Sequence, residues 1–319
     1  MFSTIKPVDM AQRMTFPVIP LSLLAAISIT CLAAGTAAAA AAEDPASCLE
    51  LVRAASANEV AAANDNSKHM FISRKSTPQG SQTRLYVETQ QAIVGMTVAY
   101  NDRPLTSEQI KHEENRLGDL AANPEQLRHK HAQEQENAEH TLRIVKALPD
   151  AFIFERDGDE EGSAALGQPR VRLVRLKFRP NPAYQPPSHV EQVLVGMQGI
   201  VVIDPVERRI AKIDGTLFKE VSFGWGILGH LDKGGHFLVQ QCDAGNNSWE
   251  VSRMSLNFTG KILMLKNLSI KSDEIFSDFR KVRADTTYAQ GVQMLKAEEA
   301  KLAPQNRSAE TNGSENRSH

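Results

Sequence analysis

Residues 197–217 read MQGIVVIDPVERRIAKIDGTL and contain the clearest β-hairpin signal in the chain. Two stretches rich in β-branched residues, 199–203 and 209–217, flank the turn dipeptide Asp204-Pro205. Successive strands joined by tight turns favour an antiparallel sheet. Further strand-like stretches are predicted at 220–223, 236–242, 249–258, 261–270 and 274–282, with turns at 245–247 and 259–260.

The segment before this hairpin is also predicted to be β. Residues 151–155 are apolar, an acidic loop is expected at 157–162, and 171–179 alternates basic with apolar side chains. The alternation shifts phase at Leu173-Val174, which predicts a bulge or a bend in a curved sheet. The basic row favours the solvent face of a half-buried strand, with attraction of anionic head groups as the alternative. Its members are Arg170, Arg172, Arg175, Lys177 and Arg179.

Helical signals lie on either side of a small group of strands. Residues 46–64 place apolar side chains on one helical face and are predicted to form the N-terminal helix. The capping-box residues Thr106 and Gln109 begin a charged helix, and Asn123-Pro124 begins a second one. Residues 106–147 are therefore predicted as a helix pair with a narrow apolar stripe. The strands between are predicted at 70–75, 83–89 and 92–100.

Together these patterns predict an α+β fold with one domain over residues 43–283, whose main antiparallel sheet spans 151–283. A further helix is predicted within 284–303. The tail 304–319 is polar and is expected to be disordered, because it lacks the apolar side chains needed to pack against a core.

The first 42 residues have the charged, apolar, small-residue order of a secretory signal peptide. Lys6 and Arg13 precede an apolar run over 18–34 and a run of alanines, and cleavage is expected after Ala42. One alternative is an uncleaved anchor, since about 20 apolar residues can span a bilayer. Another is a lipoprotein modified at Cys31. The expected location is the periplasm.

Composition restricts the partners of the exported chain. Without Lys6, Arg13 and Asp9 it has 34 basic and 37 acidic side chains, a formal charge of −3. This near-neutral balance argues against nucleic acid as a partner. Two cysteines remain, Cys48 and Cys242; an oxidising compartment would allow a disulfide between them, and two buried thiols are the alternative.

Motif searches favour a protein that is not an enzyme and holds no cofactor or metal. The chain contains no G-x-S-x-G, no H-E-x-x-H and no Gly-rich dinucleotide or phosphate fingerprint. His230, Asp232 and His236 form the most compact group of candidate metal ligands, but they lack the paired spacing of zinc sites. No catalytic residue and no metal ligand is therefore assigned.

Residues 223–237, FGWGILGHLDKGGHF, are the most unusual stretch of the sequence. Their glycines fit a long hairpin connection, because glycine readily adopts positive φ. The functional alternative is an apolar lip at the mouth of a ligand cavity. Its candidate ligand-binding residues are Phe223, Trp225, Ile227 and Leu228.

The runs LKFRPNPAYQPPS (176–188) and MQGIVVIDPVERRIAKIDGTL resemble exported bacterial proteins of the periplasmic lipoprotein-carrier (LolA-like) superfamily. Residues 223–237 and the later run DEIFSDFRKV (273–282) look like a narrower family of secreted bacterial proteins with the same core. The resemblance implies a curved antiparallel half-barrel, lined by apolar residues and covered by helices. In the carriers this cavity holds lipoprotein acyl chains, whereas a charged helix pair such as 106–147 is not a standard carrier element.

The expected function is thus an exported, non-enzymatic protein that binds a lipid or a lipidated protein in a curved-sheet cavity. The alternative is a structural or protein-interaction module of the cell envelope that uses helices 106–147 as its contact surface. A hydrolase is a third hypothesis, because catalytic residues can be brought together by folding alone.

Overall fold

A computed structural model describes residues 21–22, 45–65, 67–224, 228–245, 248–262 and 266–315, with side chains given between Ala46 and Leu302. Its helices are α1 (Pro45–Ala62), α2 (Ser107–Ala121), α3 (Pro124–Ala151) and α4 (Tyr288–Glu315), with a 3-10 helix at Glu191–Gly196. Its strands are β1 (Leu21–Ser22), β2 (Lys68–Thr77), β3 (Gly80–Val87), β4 (Val94–Tyr100), β5 (Arg103–Pro104), β6 (Phe152–Glu161), β7 (Arg172–Pro180), β8 (Met197–Asp204), β9 (Arg209–Leu217), β10 (Val221–Phe223), β11 (Gly229–Leu231), β12 (His236–Asp243), β13 (Ser248–Ile262) and β14 (Lys266–Val282). The predicted signal segment 1–42 lies outside the described residues except for Leu21–Ser22.

The strands form one large antiparallel sheet that is not closed, so the predicted α+β fold is confirmed at this level. The order along the main path is β5-β4-β3-β2-β14-β13-β12-β9-β8-β7-β6, and β1 and the β10–β11 hairpin attach to β13. Along the main path the chain therefore begins in the middle, at β2, builds one wing outward to β5, and builds the other from β6 inward.

The β8–β9 hairpin is confirmed in the predicted position. Asp204 pairs with Arg209 at its end. Asp204 Oδ1 accepts the backbone N–H groups of Val206 and Glu207 at 2.8 and 3.0 Å. Arg208 completes the turn with a φ of 51°. The short Asp side chain thus satisfies the turn's backbone donors, as the Asp-Pro signal predicts.

The acidic loop predicted at 157–162 is wrong, because most of it belongs to strand β6. Its acids pair with basic side chains: Asp157 with Arg175 (3.2 Å) and with Lys177, and Asp159 with Arg172. Acidic side chains of β6 therefore pair with basic side chains of β7 across the two strands. The bulge also lies in β6, next to Asp157. Strand β7 alternates regularly, and Leu173 and Val174 are both buried because both faces are covered there.

Two further boundaries differ from the prediction. Thr259-Gly260 is not a turn, because β13 continues through it to Ile262. The strands predicted at 261–270 and 274–282 are not separate either, since β14 runs unbroken over Lys266–Val282. Helix α4 extends to Glu315, into the tail that was expected to be disordered.

Helix starts follow their capping residues. Thr106 and Gln109 make both bonds of the capping box, and Asn123 caps α3 before Pro124. Helix α3 continues past the predicted end at Ala147 to Ala151, with Pro149 inside its last turn. The helices also protect the edge of the sheet at β4. Their side chains bond its backbone: Arg116 donates to Gly95 O at 2.8 Å, Thr97 N–H donates to Glu113 at 3.1 Å, and Ile93 N–H donates to Glu134 at 3.1 Å.

The core is divided between the two wings of the sheet. Helices α1 and α3 pack on β6–β9 over a cluster that includes Leu176, Val201 and Phe178. Helices α2 and α4 pack on β3 and β4 over a second cluster that includes Leu85 and Met96. The strand registers, followed from β7 to β4, place these two clusters on opposite faces of the sheet.

Candidate functional site: an apolar strip on the central strands

One face of the central strands carries a continuous row of apolar side chains. Val239 lies opposite Met254, Phe237 opposite Leu256, and Phe258 opposite Ile270. Directly opposed residues share a face, and side chains alternate between faces along a strand. The apolar strip therefore consists of Phe237, Val239, Met254, Leu256, Phe258, Ile262, Leu268 and Ile270, all of which are only half-buried.

The strip lies on the same face as the core under α1 and α3. The register runs from Leu176 through Val201 and Ile213 to Val239 in β12. Phe237 and Phe258 already pack against that core, whereas the rest of the strip belongs to no core cluster of the described residues. On the opposite face, β13 and β14 expose polar side chains such as Asn257 and Lys271. Apolar exposure is not limited to the strip's face, because Ile275 of β14 lies on the opposite face and is 47% exposed.

The β10–β11 hairpin attaches to β13 at the end of this strip. Its register places Phe223 opposite Gly229 and Leu231 opposite Gly260, so Phe223 and Leu231 share the strip's face. Leu228 is 47% exposed at the hairpin tip. Of the four predicted lip residues, Phe223 is thus placed on the strip's face and Leu228 lies at the hairpin tip, whereas Trp225 and Ile227 lie outside the described residues.

Two glycines allow the hairpin to approach β13. A Cβ on Gly229 would lie 2.1 Å from Lys261 O, and a Cβ on Gly260 would lie 2.1 Å from His230 O. Gly229 also has a φ of 134°, which side chains with a Cβ rarely adopt. Gly229 and Gly260 thus permit the close contact of the two strands, and β11 lies within the stretch that was predicted as one long hairpin connection.

A buried polar cluster lies where β13 separates from β14. His69 Nδ1 lies 3.1 Å from Glu250 Oε1 and 3.9 Å from Glu88 Oε2. Ser248 Oγ donates to Glu250 at 2.8 Å and lies 3.4 Å from His69 Nε2. None of the four residues is more than 4% exposed. Serine, histidine and glutamate thus meet without a path to solvent, which suits a structural network rather than a catalytic one.

Burial dominates the proton affinities of this cluster. It raises the pKa of Glu88 to about 8, and it raises the pKa of Glu250 well above the usual range, with the Glu88 charge adding to the effect. Burial, followed by the positive charge of Lys281, lowers the pKa of His69. Glu88 Oε1 has no hydrogen-bond partner among the described residues, so this oxygen is buried without compensation.

A second buried group fastens α1 to the sheet. Glu59 accepts both guanidinium bonds of Arg209, at 2.9 and 3.2 Å, the backbone N–H of Ile210 at 2.8 Å, and the amide of Gln241 at 3.3 Å. Arg209 also lies over the Trp249 ring, 5.4 Å from its centroid. Glu59 lies on the buried face of α1 with Cys48, Val52 and Ala55, and this helical spacing can be recognised in the sequence. The pairing of Glu59 with Arg209 in β9 cannot be recognised there.

The two cysteines are buried and are not joined to each other by a disulfide. Cys48, in α1, packs in the core that this helix covers. Burial raises the pKa of the Cys242 thiol in β12 to about 11. The structure thus places two thiols in packing roles, which was the alternative to the disulfide. Of the histidines in the GHLDKGGH run, His236 pairs with Asp214 at 2.8 Å, away from His230 and Asp232.

Comparison with protein-family models, curated proteins and solved structures finds no match to this chain. The resemblance to lipoprotein carriers therefore stays a prediction. Among the described residues, no helix is long and apolar enough to cross a membrane.

Proposed function

We propose that this protein is an exported, non-enzymatic binder of acyl chains, and that the chain of a lipid or lipoprotein lies along the apolar strip. The observation that supports this proposal most directly is the incomplete burial of eight apolar side chains on one face of three adjacent strands. A monomeric protein rarely leaves a contiguous apolar surface of this kind uncovered without a use for it.

The size of the strip suits an extended acyl chain. From Met254 to Ile262 along β13 the distance is about 27 Å, at about 3.4 Å per residue. Each buried methylene contributes ~0.8 kcal/mol. A chain of about 14 methylenes therefore gains on the order of 10 kcal/mol before the entropic costs of association.

In this proposal the open sheet curves into a half-barrel with the strip on its concave face. Helices α1 and α3 pack on the same face beside the strip, so they can cover one side of a bound chain. Phe223 and Leu231 of the β10–β11 hairpin continue the face along the end of β13 and pack against the same core. The mouth of the half-barrel would thus lie at the predicted lip.

The test is a substitution on each face of β13. Leu256→Lys and Met254→Lys place a charge in the strip, whereas Asn257→Lys adds the same charge to the exposed opposite face and serves as the control. We expect the first two to weaken binding of a palmitoylated peptide at least tenfold, measured by displacement of an apolar fluorescent dye. The control should stay within twofold of the unsubstituted protein.

Circular dichroism melting of each variant separates loss of binding from loss of folding. If the folded protein takes up neither dye nor lipopeptide, or if Asn257→Lys weakens binding as much as Leu256→Lys, acyl-chain binding at the strip is ruled out.

A further inference from the structure

We propose that Glu220, His230 and Asp232 form a binding site for a divalent transition-metal cation of the zinc type. One ligand atom from each of the three side chains lies within 4.8 Å of the other two. Glu220 directly precedes β10, His230 lies in β11, and Asp232 directly follows β11. The pairing of the two strands, with Ser222 opposite His230, is what brings them together. This site does not depend on the proposed acyl-chain binding.

The separation of two ligand atoms matches tetrahedral coordination. His230 Nε2 lies 3.3 Å from Asp232 Oδ1. Bonds of about 2.0–2.1 Å to a tetrahedral zinc ion place two ligand atoms about 3.3 Å apart. The imidazole and the carboxylate thus stand at the required distance before any metal binds. Glu220 is the most exposed of the three residues, so its side chain is the freest to adjust around an ion.

A second set of contacts orients the ligands. Asp232 uses its other oxygen, Oδ2, to accept the Thr259 hydroxyl at 2.6 Å, and its backbone N–H donates to Thr259 O at 2.9 Å. Ser222 Oγ lies 3.3 Å from Glu220 Oε1, to which it donates. Hydrogen bonds of this kind hold metal-ligating carboxylates in place in known metal sites. His230 itself is fixed between two strands, opposite Ser222 and Lys261.

The donor set selects the type of cation. Two carboxylates and one imidazole give a formal charge of −2, which a divalent ion balances. Imidazole suits zinc, copper and nickel, whereas calcium and magnesium prefer oxygen alone. Three protein ligands leave a coordination position for water or for a donor from a partner. The competing explanation is an ordinary His230–Asp232 ion pair, of the kind that His236 makes with Asp214.

His236 provides a matched control, because it is a histidine paired with an aspartate at 2.8 Å but lies outside the three-residue group. Chelator-treated full-length protein is titrated with zinc chloride in a calorimeter, and separately with calcium chloride. We expect one zinc ion per chain and little heat from calcium. His230→Ala should weaken zinc binding at least tenfold, and His236→Ala should leave it within twofold.

Asp232→Asn provides a second variant should His230→Ala fail to fold, and it should weaken zinc binding to a similar extent. Absence of a zinc isotherm in the unsubstituted protein overturns the proposal. So does retention of zinc binding by folded His230→Ala, or an equal loss in His236→Ala. Loss of acyl-chain binding in the strip variants, by contrast, has no bearing on this site.

Discussion

Replacing Arg209 with alanine should lower the free energy of unfolding by about 3–5 kcal/mol, because it leaves the Glu59 carboxylate buried without its cation. The two side chains are 8% and 6% exposed, so water cannot replace the lost partner. The substitution also removes the guanidinium from the Trp249 ring. Urea unfolding at pH 7, followed by circular dichroism, measures the change.

The matched control is Arg253→Ala. Arg253 bonds Asp273 at 2.9 Å, but the two side chains are 45% and 35% exposed, so its loss should cost less than about 1 kcal/mol. The double variant Glu59→Gln with Arg209→Met should recover part of the loss, since the new amide oxygen can still accept the Ile210 N–H. Equal effects of Arg209→Ala and Arg253→Ala would show that the Glu59–Arg209 pair is not buried in solution.

Raising the pH from 7 to 9 should destabilise the protein, and Glu88→Gln should reduce that loss. The folded protein keeps the Glu88 proton up to about pH 8, whereas the ordinary pKa of the unfolded side chain is 4.5. The folded state therefore binds more protons between pH 4.5 and about 8, and stability falls as pH rises through that range, with the last part of the loss above pH 7. Each unit of pKa difference is worth about 1.4 kcal/mol.

His69 has the opposite dependence, which sets the window for the experiment. Its pKa is lowered on folding, so its contribution is lost as pH falls below 6.5. Above that pH the carboxyl effect remains. The charges that act on the cluster from neighbouring elements are Asp65, Lys68, Glu134, Arg209 and Lys281.

Thermal melting between pH 7 and 9 provides the measurement for Glu88→Gln. The amide oxygen of the introduced side chain can still accept the His69 N–H that Glu88 accepts at 2.9 Å, so the variant should fold. Its melting temperature should fall less with pH than that of the unsubstituted protein. Glu136→Gln, on an exposed position of α3, should retain the original dependence. Identical slopes for Glu88→Gln and the unsubstituted protein would mean that Glu88 does not hold its proton at neutral pH.

Turns and helix starts could be predicted from the sequence where they depend only on neighbouring residues. The Asp204 turn, the Thr106 capping box and the Asn123-Pro124 helix start each depend on residues within a few positions of one another, and each is confirmed. The acidic run 157–162 was mistaken for a loop because its basic partners lie in another strand. Thr259-Gly260 resembled a turn for a similar reason, since Gly260 is required by the approach of β11 from a distant part of the chain.

The candidate site shows the same division. Phe223 and Leu228 stood out in the sequence, but the strip itself did not, because its members come from three strands whose faces only the registers define. The buried cluster is less visible still: His69, Glu88 and Glu250 are polar residues on ordinary strands or at their ends, and nothing in their spacing marks them as neighbours. The pairing of strands that are distant in the sequence forms both the apolar strip and the buried cluster. The local patterns of a single sequence do not predict that pairing.

The alternative role for the helix pair, as a contact surface of the envelope, now needs a different experiment. Leu117 and Leu127 are buried parts of one core and the partly buried Ile144 packs against the other, so deletion of 106–147 would remove core residues together with any contact surface. Charge reversal at exposed positions, such as Lys111→Glu, leaves the cores intact. Loss of a captured partner in that variant would support the alternative.

The bonds from Glu113, Arg116 and Glu134 to the backbone around β4 have a consequence for self-association. An open sheet can grow by adding strands, and an uncovered edge strand is a template for fibrils. Here side chains occupy backbone groups that an incoming strand would need. The protein can therefore leave an apolar face uncovered while the β4 end resists polymerisation, so that association is directed to the face of the sheet and away from this edge.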